Sequence, residues 1–312
     1  MKKDVLTKQY LSQPEVFADA FNYFLFDGRQ VIHPGDLKEQ DSNELAVINK
    51  MGKLFTDQKM RDVLKLCTIR RSKKATFVLL GIEAQDRISY VMPVRDCLYD
   101  ALNYTAQIEA IRKEHMVKGD LKNGAEYLSG FTKKDRILPV ITLCICFDKA
   151  KWDGPRSLSD MFARTDTELI RYVNDYRLNL ITPAEINDAG KFASELGLVM
   201  EFIQNADDRE WMRDIMKKEG RYSSVDVNTV DIINTYTNAR ISTMGAKEGR
   251  VNMCKGIQGL EDEARAEGRA EGEDMLVRLL KVLTPGSKEY EKALNASSAD
   301  RRKMYKKYNI TA

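Results

Sequence analysis

Apolar residues recur at helical spacing after Pro14. Val16, Phe17, Ala20, Phe21, Phe24 and Leu25 make one stripe, which stops at Asp27-Gly28. The pattern predicts a helix, with Ser12 as its N-terminal cap. A turn at His33-Pro34-Gly35-Asp36 follows, and residues 37–58 are polar, with a weaker helical period at Leu45, Ile48, Met51 and Leu54. The period then shortens. MRDVLKLCTI and ATFVLLGIEAQ are rich in β-branched and apolar residues and flank the polar break RRSKK. This predicts an antiparallel hairpin turning near Ser72-Lys73. A hairpin symmetric about that point pairs Asp62 with Glu83 and Met60 with Gln85. Glu83 and Gln85 share a face because strand side chains alternate.

VRDCLYDALNYTAQIEAIRKEH reads as a long helix, with Leu98, Ala101, Leu102, Thr105 and Ile108 on one face and Arg95, Asp96 and Tyr99 nearer the other. The continuous apolar run LPVITLCICF suits a strand buried on both faces. A short helix at LSDMFA, a strand at YRLNLI (176–181) and helices over 186–205, 207–218 and 227–242 follow. The alternation of strands and helices predicts an α/β protein whose mixed sheet is flanked by helices. Residues 1–182 would form the core domain and 183–257 a helical extension packed on it. Residues 258–312 differ: the imperfect repeat RAEGRAEG, a break at Pro285-Gly286 and a basic end predict a charged helical tail suited to self-association.

Composition narrows the function. Lys and Arg number 50 against 47 Asp and Glu, a net charge of +3 over 312 residues, so charge alone selects no partner class. A hydrophobic share of 43% is too high for a disordered chain. No apolar stretch reaches the roughly 18 residues of a bilayer span, and the N-terminal segment lacks the apolar region of a signal peptide. Five cysteines are present, and Cys144 and Cys146 sit two apart in one strand, unable to bond each other. Free buried thiols, a reducing compartment and a cytoplasmic protein are expected. His33 and His115 have no partner at ligand spacing. CxxC, HExxH, GxxxxGK[ST] and GxGxxG are all absent, so chemistry falls to carboxylates, amides and basic groups.

Asp62 opposite Glu83 would be a repulsive pair unless a cation lies between them. Mg²⁺ takes such oxygen ligands together with water and phosphate oxygens. The alternative is a structural ion pair between Glu83 and Lys65 or a lysine of the turn. Arg95 and Tyr99, one helical turn apart, suit either a phosphate contact or helix-on-sheet packing with a surface ion pair to Asp96 or Asp100. Arg70, Arg71, Lys73 and Lys74 at the hairpin tip, and Lys133, Lys134 and Arg136 later, suit non-specific phosphate contacts or a solvated turn. Asp19 is either an additional acid or a residue on the polar side of its helix.

Asp62 followed by Glu83-Ala84-Gln85 resembles the PD-(D/E)xK nuclease motif, with Gln85 in the lysine place. In order along the chain, PEVFADAFNYFLFDGRQVI, LLGIEAQ, YVMPVRDCLYDALNY, YLSGFTKKD, LPVITL and DGPRSL resemble the bacterial recombination-promoting nuclease and putative transposase family, as does the RAEGRAEGE tail. The resemblance runs from about residue 12 to residue 275. It implies a PD-(D/E)xK nuclease-like core with a mostly helical C-terminal region, acting as a Mg²⁺-dependent (or Mn²⁺-dependent) DNA endonuclease of low sequence specificity, linked to recombination or mobile elements. Asp62 and Glu83 would be metal ligands with the Ala84 carbonyl between them, and Gln85 would orient the attacking water. Gln85 departs from the family pattern: an amide carries no charge and cannot act as a base. Arg95, Tyr99 and the hairpin-tip cations would contact DNA, and the C-terminal helices would join copies of the chain. Two alternatives stand beside this reading: a nuclease-fold module that binds DNA or protein without cutting, and an interaction protein acting through its tail.

Overall fold

The structure, a computed structural model, describes residues 2–39, 63–71, 74–163, 167–217, 220–237 and 239–310. Two helices open the chain, α1 (Lys2–Ser12) and α2 (Pro14–Phe26). The cap of α2 is Gln13 rather than Ser12. Ser12 closes α1 instead, its hydroxyl donating to the Lys8 carbonyl at 2.6 Å, because Pro14 cannot continue α1 but is pre-organised for a first helical turn. The predicted stop is observed: Asp27 adopts φ 55° and Gly28 φ 82°. A Cβ on Gly28 would lie 2.6 Å from the Lys191 carbonyl oxygen, so both the turn and its close neighbour require glycine.

Five strands form one mixed sheet in chain order: β1 (Leu37–Glu39), β2 (Val63–Arg71), β3 (Lys74–Gln85), β4 (Val140–Cys146) and β5 (Leu180–Ile181). β2 and β3 are the antiparallel hairpin, and their register, from Val63↔Ile82 to Arg71↔Lys74, is the one the sequence predicts. β3, β4 and β5 run parallel. The crossover from β3 to β4 is made by α3 (Met92–Lys118) and the short α4 (Gly124–Ser129). The expected strand over 176–181 is only two residues long, and the expected helix at LSDMFA is a single turn at Ser159–Met161. The weak period over residues 40–58 lies outside the described residues.

One face of the sheet carries the main core. Ile82, Leu80, Leu143 and Ile145 pack there with Phe17 and Phe21 of α2 and with residues of the chain's second half. That half supplies α5 (Leu196–Gln204), α6 (Arg209–Lys217) and α7 (Val227–Thr237), with Phe202, Ile215 and Val230 in the same cluster. A two-stranded sheet, β6 (Val225–Asp226) with β7 (Arg250–Val251), has no counterpart in the sequence reading. The first residues of α8 (Met253–Val282) still belong to this core through Met253 and Ile257. Its far end joins α9 (Lys288–Asn295) and α10 (Ser298–Lys307) around a separate cluster of Leu279, Leu283, Ala293, Met304 and Tyr305. Among the described residues no helix is long and apolar enough to cross a membrane.

Candidate functional site

The site lies on the other face of the sheet, where β3 ends under the first turns of α3. Alternation sends Ala84 toward the main core and Glu83 and Gln85 toward α3. The parallel register sets Glu83 beside Cys144 and Gln85 beside Cys146. Pro93 and a Val91 N-cap begin α3 just beyond the strand, so Arg95 and Tyr99 reach back over it one turn apart.

Glu83 is only 2% exposed. Its Oε1 accepts from Arg95 Nη2 in an ion pair and from Gln85 Nε2 at 3.3 Å. Gln85 Nε2 also donates to the Ala84 carbonyl at 2.9 Å, and its Oε1 accepts from Arg95 Nη1 at 3.5 Å. Arg95 donates to the Tyr99 hydroxyl at 3.4 Å and lies over that ring, 5.8 Å from its centroid. Burial alone would lower the pKa of Arg95; the Glu83 charge, reinforced by Tyr99 and Asp96, outweighs it and raises the value. The guanidinium is therefore a fixed positive charge. Cys144 and Cys146 are buried beside it; desolvation pushes the Cys146 thiol up to about 11, and Cys144 well above its usual value. Both stay protonated and act as packing.

Glu83 thus has an ion pair with Arg95, while Lys65 lies elsewhere. Lys65 pairs in register with Leu80, which points it to the opposite face, where its ammonium donates to the Ser12 carbonyl at 2.7 Å. The buried side of the helix takes in polar residues beside Leu102 of the apolar stripe. Asp96, Tyr99, Asp100 and Asn103 are buried, whereas Ala101 and Ile108 are exposed. The sheet explains why. Thr142 and the Tyr176 hydroxyl both donate to the Asp100 carboxylate, Val140 N–H donates to the Tyr104 hydroxyl at 3.1 Å, and Gln107 bonds both ways with the Leu138 backbone. These contacts dock α3 through its polar side and hold Arg95 above the end of β3. The sequence signal was the polar stripe at 96, 100, 103 and 107, spaced as one helical face.

Other candidates fall elsewhere. Asp62 and Lys73 lie outside the described residues. Arg70, Arg71 and Lys74 sit in the hairpin strands beside the turn, in the pairs Arg70↔Ala75 and Arg71↔Lys74. Asp19 is buried, and its carboxylate accepts from Ala193 N–H at 2.9 Å, Ser194 N–H at 2.8 Å, Ser194 Oγ at 2.7 Å and Gln30 Nε2 at 3.3 Å. The three bonds from Ala193 and Ser194 tie α2 to the loop before α5, which is a structural role rather than a solvated one. His115, solitary in the sequence, bridges Asp120 at 2.6 Å and Asp135 at 2.9 Å.

Glu83, the Ala84 carbonyl and Gln85 Oε1 are hard oxygen donors, the kind that suits Mg²⁺ or Mn²⁺. Among the described residues no three His, Cys, Asp or Glu side chains gather so as to hold a metal ion. The donor set therefore fits a hard cation in kind, with Glu83 as its one carboxylate among the described residues. No protein-family model matches the chain, and comparison with curated proteins and with solved structures gives no match.

Proposed function

We propose that the chain is a divalent-metal-dependent DNA endonuclease of low sequence specificity, its site built on the β2–β3 hairpin as in PD-(D/E)xK nucleases. The observation that carries this reading is the convergence of Gln85 and Arg95 on one buried carboxylate, Glu83, at the end of a core strand, with Tyr99 against Arg95. A buried acid held by an amide and by a partly exposed guanidinium supplies the ligand and phosphate contacts that such hydrolysis needs. Mg²⁺ or Mn²⁺, held by Asp62, Glu83 and the Ala84 carbonyl, would supply a bound water of lowered pKa and neutralise charge developing on the phosphate. Arg95 and Tyr99 bind the scissile phosphate, Gln85 orients the attacking water by hydrogen bonding, and Arg70, Arg71, Lys73 and Lys74 follow the DNA backbone. No proton passes through Gln85, since an amide neither takes nor releases one near neutral pH.

A plasmid nicking assay with Mg²⁺ and then Mn²⁺ tests this. Wild-type protein is expected to relax supercoiled DNA only with metal, and Glu83→Ala to abolish cutting. The Arg95–Glu83 ion pair favours a second reading, a nuclease-fold module that holds DNA without cutting. Protein that retards the plasmid but leaves it supercoiled with either metal, in wild type and variant alike, would establish that reading instead.

A further inference from the structure

We propose that Arg95 and a divalent cation compete for Glu83, so that metal loading hands the Arg95 guanidinium over to the substrate phosphate. The proposal rests on the metal-dependent reading above and adds a coupling between metal and phosphate at the same site. Three observations carry it. Arg95 and Gln85 converge on one oxygen, Glu83 Oε1, and a second cation brought to that carboxylate would face the guanidinium charge at short range. Arg95 is also the more exposed partner: its side chain is 29% exposed while that of Glu83 is 3% exposed, so solvent lies within reach of the guanidinium and not of the carboxylate. Finally, the Tyr99 hydroxyl and ring already border Arg95, and the contacts from Asp100, Tyr104 and Gln107 keep the helix in place as the side chain moves. A released guanidinium presents the forked donors that match phosphate oxygens.

Mn²⁺ binding measured by electron paramagnetic resonance, without DNA, separates the outcomes. Glu83→Gln is expected to lose the site, and Arg95→Gln to bind Mn²⁺ about tenfold more tightly than wild type, because removing the competitor leaves a carboxylate that needs a cation. Arg95→Lys is expected to fall between them. A second readout needs no DNA either: the Arg95 Nε–H resonance of wild type, assigned with Arg95→Lys, should move on addition of Mg²⁺ and stay fixed in Glu83→Gln. Mn²⁺ binding that depends on Glu83 but is no tighter in Arg95→Gln, with an unmoved Arg95 resonance, would overturn the competition and leave the metal site standing. Mn²⁺ binding that is absent, or equal in Glu83→Gln, would overturn both.

Discussion

Glu83 and Asp19 show how burial assigns different work to two acids of the same fold. Asp19 is saturated by donors of a distant loop and ties two segments together. Glu83 keeps company with an arginine that reaches solvent, and its partners are groups able to bind a phosphate or a water. His115 is a third case. Its two ring nitrogens face Asp120 and Asp135, Lys118 lies in the same last turn of α3, and Asp135 also accepts from Thr132 N–H at 2.6 Å. The hydrogen bond to Asp120, then that to Asp135, raises the His115 pKa above 6.5, while those of Asp120 and Asp135 are lowered. A raised histidine contributes stability that is complete below pH 6.5 and is lost as pH rises through the folded value. The two carboxylates contribute above their usual range and lose that contribution on acidification. His115→Gln is therefore expected to flatten the fall in melting temperature between about pH 6 and about pH 8; a wild-type slope that survives the substitution would assign it to another group.

At the scale of elements, the hairpin was legible because its information is local. A polar break between two apolar, β-branched runs sets the turn, and the turn sets the register. The stop of α2 was legible for the same reason. The short strands β1, β6 and β7 were not, and β5 was read too long, since two or three residues in a ladder are fixed by what lies beside them. The docking face of α3 was left open by the periodicity, because the sheet there presents Glu83, Gln85 and Thr142. A polar target calls for polar partners, which Asp96, Asp100 and Gln107 bring to it. Asp100→Ala is expected to cost about 2–3 kcal/mol, because the buried Thr142 and Tyr176 hydroxyls lose their acceptor. Ala101→Glu, on the exposed side, should stay within about 0.5 kcal/mol of wild type. Urea unfolding of the pair checks this, and the opposite order would contradict docking of α3 through Asp100.

In the whole molecule, one core joins the sheet to α5, α6 and α7, so residues 183–257 complete the fold that supports the site. The tail has its own small cluster, and α8 links the two over about 45 Å through an exposed, charged stretch around RAEGRAEG. A chain ending at residue 274 is accordingly expected to melt within about 2 °C of the full chain. If the C-terminal helices join copies of the protein, sedimentation will show the full chain associated and the shortened chain monomeric; association that persists would place the contact elsewhere. The central claim concerns the hairpin itself: that a second acid, Asp62, works with Glu83. It is tested most directly by plasmid nicking with Asp62→Asn, in a preparation whose circular dichroism and melting match wild type. Loss of at least about a hundredfold in the Mg²⁺-dependent nicking rate is expected. Nicking at the wild-type rate would contradict it.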